Sequence, residues 1–464
     1  MLRGLQIILH NLRINIQNKV NEYSHIEKSE VSGLPHIASV GTAVPKHVMS
    51  QKEIRAVVYD MFKDIFPGID RLISIFDHGN IEKRHFCVAA EWFQQTHTPD
   101  EKHRLYVEHA AELAEQAIRA CLEQTDIGFA DVDHIIFVST TGTATPSIDA
   151  LLFNRMGFNP HIKRTPIWGL GCAGGAASLS RAADYVKAFP SHRCLVVSVE
   201  LCSLTFLNDD LSKSNFVATS LFADGAAAAL VLGETEETAA FNRNRVFSRG
   251  SVRGPRILQT QSTIWPDTLD VMGWEVTGRG LKVIFSRDIP SIIQKEMYGN
   301  VEALLKKSGL ALPNVESYIL HPGGMKVLQA YRESLHLPAE ALHPSETVLR
   351  QYGNMSSATV FFVLQEAWRL KNSGAPAPIA SRRNLTFAER LDYALVESFS
   401  GADMPYSAHS APKGFSAGWP PVHSTFASAS DGFRSGPADP QIQYGIIGAL
   451  GPGFSSEMLL FEWV

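Results

Sequence analysis

The feature that most constrains the fold is a run of elements that occurs twice. Glu108–Leu122 carries apolar residues at helical spacing. It leads through Asp131-Val-Asp133 to an apolar, strand-like run, His134–Val138, and then to a turn at Thr141-Gly142. In the second half, Val301–Lys307 leads through Asn314-Val-Glu316 to Ser317–Leu320 and a turn at Pro322-Gly-Gly324. The order is the same both times: helix, a linker of Asx-Val-acid, strand, glycine turn. Two such units imply two α/β cores packed together, and 464 residues are enough to build them. Chance similarity between βα units is the competing explanation.

Chemistry gathers on turns of this kind. Arg164–Gly171 reads as a strand, and Ala176, Leu179, Ala183 and Val186 recur at helical spacing just after it, so Cys172 falls on a strand-to-helix turn. Small neighbours let the backbone turn sharply and let a substrate approach. The positive end of the following helix favours a thiolate. A lone cysteine is more often a buried small hydrophobe, so partners matter. His321 ends the strand-like run from Asn314 and precedes a glycine turn and a helix through Leu335. Asn354 sits in Gln351-Tyr-Gly-Asn-Met-Ser-Ser, at the mouth of a helix running to Leu370. Alone, either would be a surface residue or a cap. Together with the thiol they form a set that suits acyl transfer: a Cys/His pair for a stabilised thiolate, and an amide donor for a developing oxyanion.

These residues carry a resemblance. Gly171-Cys-Ala-Gly-Gly175, His321-Pro-Gly-Gly324, Tyr352-Gly-Asn-Met-Ser-Ser-Ala358 and Leu450-Gly-Pro-Gly-Phe454 resemble the signatures of the chalcone synthase family, the type III polyketide synthases, in that family's order. Gly41-Thr-Ala-Val-Pro45, Ser139–Pro146 and Leu221–Ala226 are similar too. The resemblance spans about 35–370 and 441–464. Trp265-Pro-Asp-Thr268 and Met272-Gly-Trp274 look closer to microbial members. It implies a duplicated thiolase-like α/β fold, layered αβαβα, with two βαβαβ-type halves. It also implies an acyltransferase that loads an acyl-CoA starter on Cys172, with His321 paired to the sulfur. Malonyl-CoA then loses CO2, and His321 and Asn354 donate to the enolate oxygen. The chain grows by two carbons per round.

By the same resemblance, Phe222 is a gatekeeping aromatic between a CoA tunnel and a cavity, although a plain core phenylalanine fits the sequence equally well. Thr140, Thr141, Thr145, Val283 and Ser356 match cavity-lining positions, and Thr145-Pro146 lies at a homodimer interface. Val283 stands where an aromatic residue is usual, and Ala449-Leu450 replaces the Gly-Phe of the terminal loop. Smaller walls suit a long aliphatic acyl chain and an alkylpyrone or alkylresorcinol product. Lys83 and Arg84 are candidates for the CoA phosphates, beside the reading of a solvated basic pair. No metal or redox cofactor is called for. Two alternatives stay open: a single-round condensing enzyme like ketoacyl synthase III, and a Cys-His-Asn hydrolase.

Composition sets the outer limits. With 45% hydrophobic residues, 19% charged residues and a net charge of −5, the chain has no basic excess for nucleic acid. No apolar run approaches the roughly 20 residues of a membrane span. Five cysteines without framework or metal spacing fit a reducing compartment, the cytoplasm. Residues 1–34 read as an N-terminal extension, 35–235 as the half with the nucleophile, and 236–464 as the second half. Within the second half, about 371–440, ending in a Ser/Gly/Pro/Ala-rich stretch, reads as a surface insertion. A cover over the active-site mouth is the alternative reading of that segment.

Overall fold

The structure is a computed structural model that describes residues 33–233, 254–373 and 442–464. The expected N-terminal extension and the expected insertion lie almost wholly outside the described residues.

Among the described residues, nine strands form the main sheet. In chain order its members are β1 (His36–Ala43), β4 (His134–Val138), β5 (Lys163–Ile167), β6 (Arg193–Leu201), β7 (Asp224–Leu232), β8 (Pro255–Ile264), β11 (Val315–Leu320), β12 (Tyr444–Gly451) and β13 (Ser455–Trp463). Two small two-stranded sheets stand apart: β2 (His47–Ser50) with β3 (Lys83–Phe86), and the hairpin of β9 (Met272–Thr277) with β10 (Gly280–Phe285). The sheet order is β11-β12-β13-β8-β1-β7-β6-β4-β5.

The pairing pattern repeats. β4 runs parallel to β6, β6 antiparallel to β7, and β7 antiparallel to β1. In the second half β11 runs parallel to β12, β12 antiparallel to β13, and β13 antiparallel to β8. Within the sheet the halves join through one residue pair, His36 with Arg256. The duplication read from the helix–linker–strand unit is therefore a duplication of sheet topology. β5 has no counterpart among the described strands of the second half.

Helices supply the remaining layers. They are α1 (Gln51–Phe62), α2 (Pro99–Leu122), α3 (Ile148–Met156), α4 (Gly174–Ala188), α5 (Lys213–Leu221), α6 (Ile289–Lys306), α7 (Met325–Ser334), α8 (His343–Tyr352) and α9 (Thr359–Asn372). α2 begins at a Thr98 capping box with Glu101 and a proline in its first turn, a strong start signal. Ala110, Ala111, Ala114 and Ala117 on its buried face let it lie close against the sheet. A Cβ on Gly41 of β1 would stand 2.2 Å from the Cys121 backbone nitrogen.

α4 and α9 share one core with residues from both sheet halves, including Val138, Val196, Ile319 and Phe461. α2 and α3 cover the outer face of the first half. α6 and α7 cover the outer face of the second. The order of layers is helix, sheet, helix, sheet, helix, as expected for a thiolase-like fold. Among the described residues, no helix is long and apolar enough to cross a membrane.

Candidate active site

The expected nucleophile sits where its turn was read. β5 ends at Ile167, a short 3-10 turn spans Gly171–Ala173, and α4 starts at Gly174. Gly171 has φ +48°, and a Cβ there would meet the Pro452 ring at 2.6 Å. Gly175 has Ser357 O where its own Cβ would be, at 2.2 Å. Glycine is thus required at both positions because the second half of the chain presses directly on the turn. All five cysteines are free, and only Cys172 keeps more than marginal solvent exposure.

His321 follows the end of β11, and its backbone N–H donates to Gly448 O of β12. Asn354 follows α8 through Gly353 at φ +71°. Its main chain pairs with the first half of the molecule: Asn354 N–H donates to Leu221 O at 2.8 Å, and Ala223 N–H donates to Asn354 O at 2.9 Å. This isolated bridge sets Asn354 beside Phe222. The Asn354 amide donates to Gly323 O in the turn after His321, at 3.3 Å. Its Oδ1 accepts from Ser356 N–H at 2.8 Å. The Cys172 thiol donates to Ser356 Oγ across 3.7 Å. Thiol, serine, amide and histidine turn thus form one connected cluster fed by both halves.

The electrostatics of the cluster correct the expectation of a resting thiolate. Burial pushes the Cys172 thiol up to about 12, with Glu200 adding to the rise, against weaker opposing bonds from Ser356 and Asn354. Burial alone brings the His321 imidazole down to about 3. Neither ring nitrogen of His321 has a protein partner, so the sulfur and the imidazole are not hydrogen-bonded to each other. Desolvation disfavours charge on both groups, and without direct contact neither offsets it for the other.

Sequence reasoning missed the group beneath the cluster. Glu200 near the end of β6 is fully buried. It accepts from Thr140 N–H at 3.1 Å, Thr141 N–H at 3.0 Å, Thr141 Oγ1 at 2.8 Å and the Ser357 hydroxyl. Thr140 Oγ1 in turn accepts from Gly171 N–H at 3.0 Å. One carboxylate therefore ties the Thr140-Thr141 turn and the cysteine turn to Ser357 of the other half. Burial raises its pKa. The available signal was a lone acid in the apolar run Cys194–Leu201.

The expected cavity residues divide. Thr140, Thr141 and Ser356 belong to the polar cluster. Phe222 and Val283 line a separate apolar pocket with Cys202, Phe206 and Trp274, walled by Ile54, Val58 and Met61 of α1. Phe222 stacks on Trp274, with ring centres 5.8 Å apart. The pocket's free volume is about 50 Å³. Phe222 pairs with Asn354 through the main chain, which sets the pocket beside the cluster. Leu450 is packed in the core of the second half. Thr145 is exposed on this chain, joined to Pro146 by a cis peptide bond, and stands apart from both groups.

Arg84 is a correction. It is 1% exposed, with Nη1 and Nε bonded to protein oxygens and Nη2 buried without a partner, so no CoA phosphate reaches it. Lys83, its neighbour on β3, is half-buried and stands opposite Ser50.

Comparison with known proteins agrees with this geometry. Residues 23–235 match the N-terminal domain of the chalcone and stilbene synthases, and 256–379 match their C-terminal domain. A putative chalcone synthase of Bacillus subtilis is 38% identical over 92% of this chain and 98% of its own length. A 1,3,6,8-tetrahydroxynaphthalene synthase of Streptomyces peucetius is 34% identical over 71% of this chain and 84% of its own. Among solved structures, PKS-I of the brown alga Ectocarpus siliculosus superposes with a TM-score of 0.71 at 22% identity. That match covers 94% of this chain and 100% of the alga's. The chain belongs to the chalcone and stilbene synthase family, the type III polyketide synthases, and is an acyltransferase of the decarboxylative condensing class.

Proposed function

We propose that the chain loads an aliphatic acyl group from acyl-CoA onto Cys172 and extends it with malonyl-CoA to an alkylpyrone or alkylresorcinol-type product. The observation that carries this reading is the join at Phe222, where a hydrogen-bonded catalytic cluster abuts an apolar pocket. Because thiol and imidazole both rest neutral, His321 accepts the Cys172 proton as the sulfur attacks the thioester carbonyl, and CoA leaves as its thiol by taking a proton. Malonyl-CoA then breaks its bond to CO2, and the electron pair moves into an enolate. The Asn354 amide and the ring N–H of His321, neutral again once CoA has taken its proton, donate to the enolate oxygen. The enolate carbon attacks the acyl carbonyl on Cys172, and the sulfur departs. The scheme needs no metal or redox cofactor.

The pocket supports an aliphatic starter. Its walls are Met49, Ile54, Val58, Met61, Phe86 and Phe206 beside Phe222 and Val283. Its free volume is little more than the roughly 30 Å³ share of one liquid water. An alkyl tail therefore enters by parting side chains, and the two methionines are suited to yielding. A relative in Mycobacterium tuberculosis, 28% identical, is named for alpha-pyrone synthesis, which favours lactone closure. Lys83 is our candidate for a CoA phosphate. Five free thiols support a cytoplasmic setting.

We also read the protein as a homodimer. β5 is an edge strand exposed along most of its length, and Trp168 just beyond it is 54% exposed. An open edge of this kind invites pairing with a second copy. Sedimentation giving a monomer with full activity would contradict the dimer. For the reaction, the test is incubation with malonyl-CoA and a panel of acyl-CoA starters, with products read by mass spectrometry. Cyclised products that start from medium or long chains support the reading. Release of free acid alone overturns it.

A further inference from the structure

Arg84 is the bulkiest of the fully buried side chains among the described residues. Its guanidinium faces carbonyls. Nη1 donates to Thr219 O at 2.7 Å and to Phe222 O at 2.6 Å, and Nε donates to Gln51 Oε1 at 3.1 Å. Gln51, itself buried, donates through Nε2 to Ser220 O at 2.8 Å. Asn354 N–H takes Leu221 O.

The carbonyls of four successive residues, 219 to 222, are thus each claimed by a group from outside α5. These are the groups a helix leaves unpaired at its carboxyl end. That end carries partial negative charge, which suits a cation even where burial works against it. Asp224 further favours the charged form. The arginine stem also fills the space beside Gly353: a Cβ there would stand 2.8 Å from Arg84 Cγ and Cδ and 2.9 Å from Leu221 O. Arg84 therefore touches both strands of the crossing at which Phe222 and Asn354 pair.

We propose that Arg84, seated by Gln51, is a positioning residue for malonyl-CoA decarboxylation: it locks the carboxyl end of α5 and so fixes the Phe222–Asn354 crossing that aims the Asn354 amide. This rests on the reading of Asn354 as the enolate donor. The arginine touches none of the reacting atoms. Acylation of Cys172 depends on the cysteine turn and His321, which other contacts hold, so the two half-reactions respond differently to loss of the clamp.

The test measures both half-reactions in Arg84→Met, Arg84→Lys, Gln51→Leu and Asn354→Ala, with thermal midpoints recorded for each. A misaimed donor loses part of what deleting it loses, so decarboxylation kcat should fall at least about tenfold in Arg84→Met. KM for malonyl-CoA and the single-turnover rate of Cys172 acylation should stay near wild type. Arg84→Lys should recover part of the loss, because an ammonium still suits the helix end but cannot bond both carbonyls. Gln51→Leu leaves the charge in place and should show the same split at smaller size; it carries the test if Arg84→Met does not fold. Equal loss in both half-reactions, or no loss in folded variants while Asn354→Ala is impaired, refutes the clamp and leaves the reading of Asn354 intact. Full decarboxylation by Asn354→Ala refutes that reading, and the clamp with it.

Discussion

The polar cluster at Cys172 and the apolar pocket beyond Phe222 are neighbours built by opposite means. Around the cysteine, a fully buried Glu200 takes four hydrogen bonds, and Thr140 passes one of them on to the cysteine turn. Glycines at 171 and 175 allow backbone contact that no side chain would permit. Such a network holds its members in one geometry, because each unmade bond leaves a buried polar group unpaired. Across Phe222, the walls are methionines, aromatics and branched aliphatics in contact with little free space. Dispersion is not directional, so that side can yield to a chain without breaking anything specific. On the function proposed above, the fixed part would do the bond making and the yielding part would accommodate what is attached.

The sharpest way to break this contrast is to remove one member of the fixed part. Asn354→Ala should lower malonyl-CoA decarboxylation by about a hundred- to a thousandfold, the usual cost of one oxyanion donor. A wild-type rate of CO2 release would mean that the cluster does not stabilise the enolate. The next test concerns charge. With the resting thiol held up at about 12, only its small thiolate fraction reacts with an alkylating agent. Alkylation of Cys172 in the free enzyme should therefore rise about tenfold per pH unit from pH 7 to 9, as expected well below a pKa. A plateau near neutral pH would show a thiolate already formed, and would mean that His321 pairs with the sulfur in solution.

The smaller effect lies on the yielding side. Each buried methylene is worth up to about 0.8 kcal/mol, or about fourfold in specificity. kcat/KM should climb with starter length by up to that factor per newly buried methylene, until the pocket is full. Val283→Phe should move the optimum to shorter starters while leaving Asn354-dependent decarboxylation unchanged. A flat length profile, or preference for an aromatic starter such as coumaroyl-CoA, would defeat the aliphatic reading and leave the condensing chemistry standing.

The legible parts of this molecule were those fixed by local pattern. The strand at 134–138, the turn at Cys172 and the strand leading to His321 follow from apolar periodicity broken by glycine, and they stand where that pattern set them. The helix read from Glu108 starts nine residues earlier, at a Thr98–Glu101 capping box that needs no tertiary contact but went unread. What else escaped depends on distant partners. Arg84 reads as half of a surface Lys-Arg pair, and only the carboxyl end of a helix more than a hundred residues later makes its burial tolerable. Glu200 was visible as an oddity, but its role needs Thr140, Thr141 and Ser357 to arrive from three other segments. Thr145 stands exposed on the single chain; the partner that would cover it is a matter of assembly. Whether Cys172 and His321 touch turns on side-chain placement across two halves, which no spacing along the chain encodes.

The account stands or falls on what Cys172 carries during turnover. The enzyme is mixed with a long-chain acyl-CoA and malonyl-CoA, quenched in acid within the first turnovers, digested, and the Cys172 peptide weighed by mass spectrometry. We expect that peptide to bear the starter and then the starter lengthened by successive two-carbon ketide units, with no such adduct in Cys172→Ala. An adduct on another cysteine, or a Cys172 peptide that never carries more than the bare starter, would contradict iterative extension at this site.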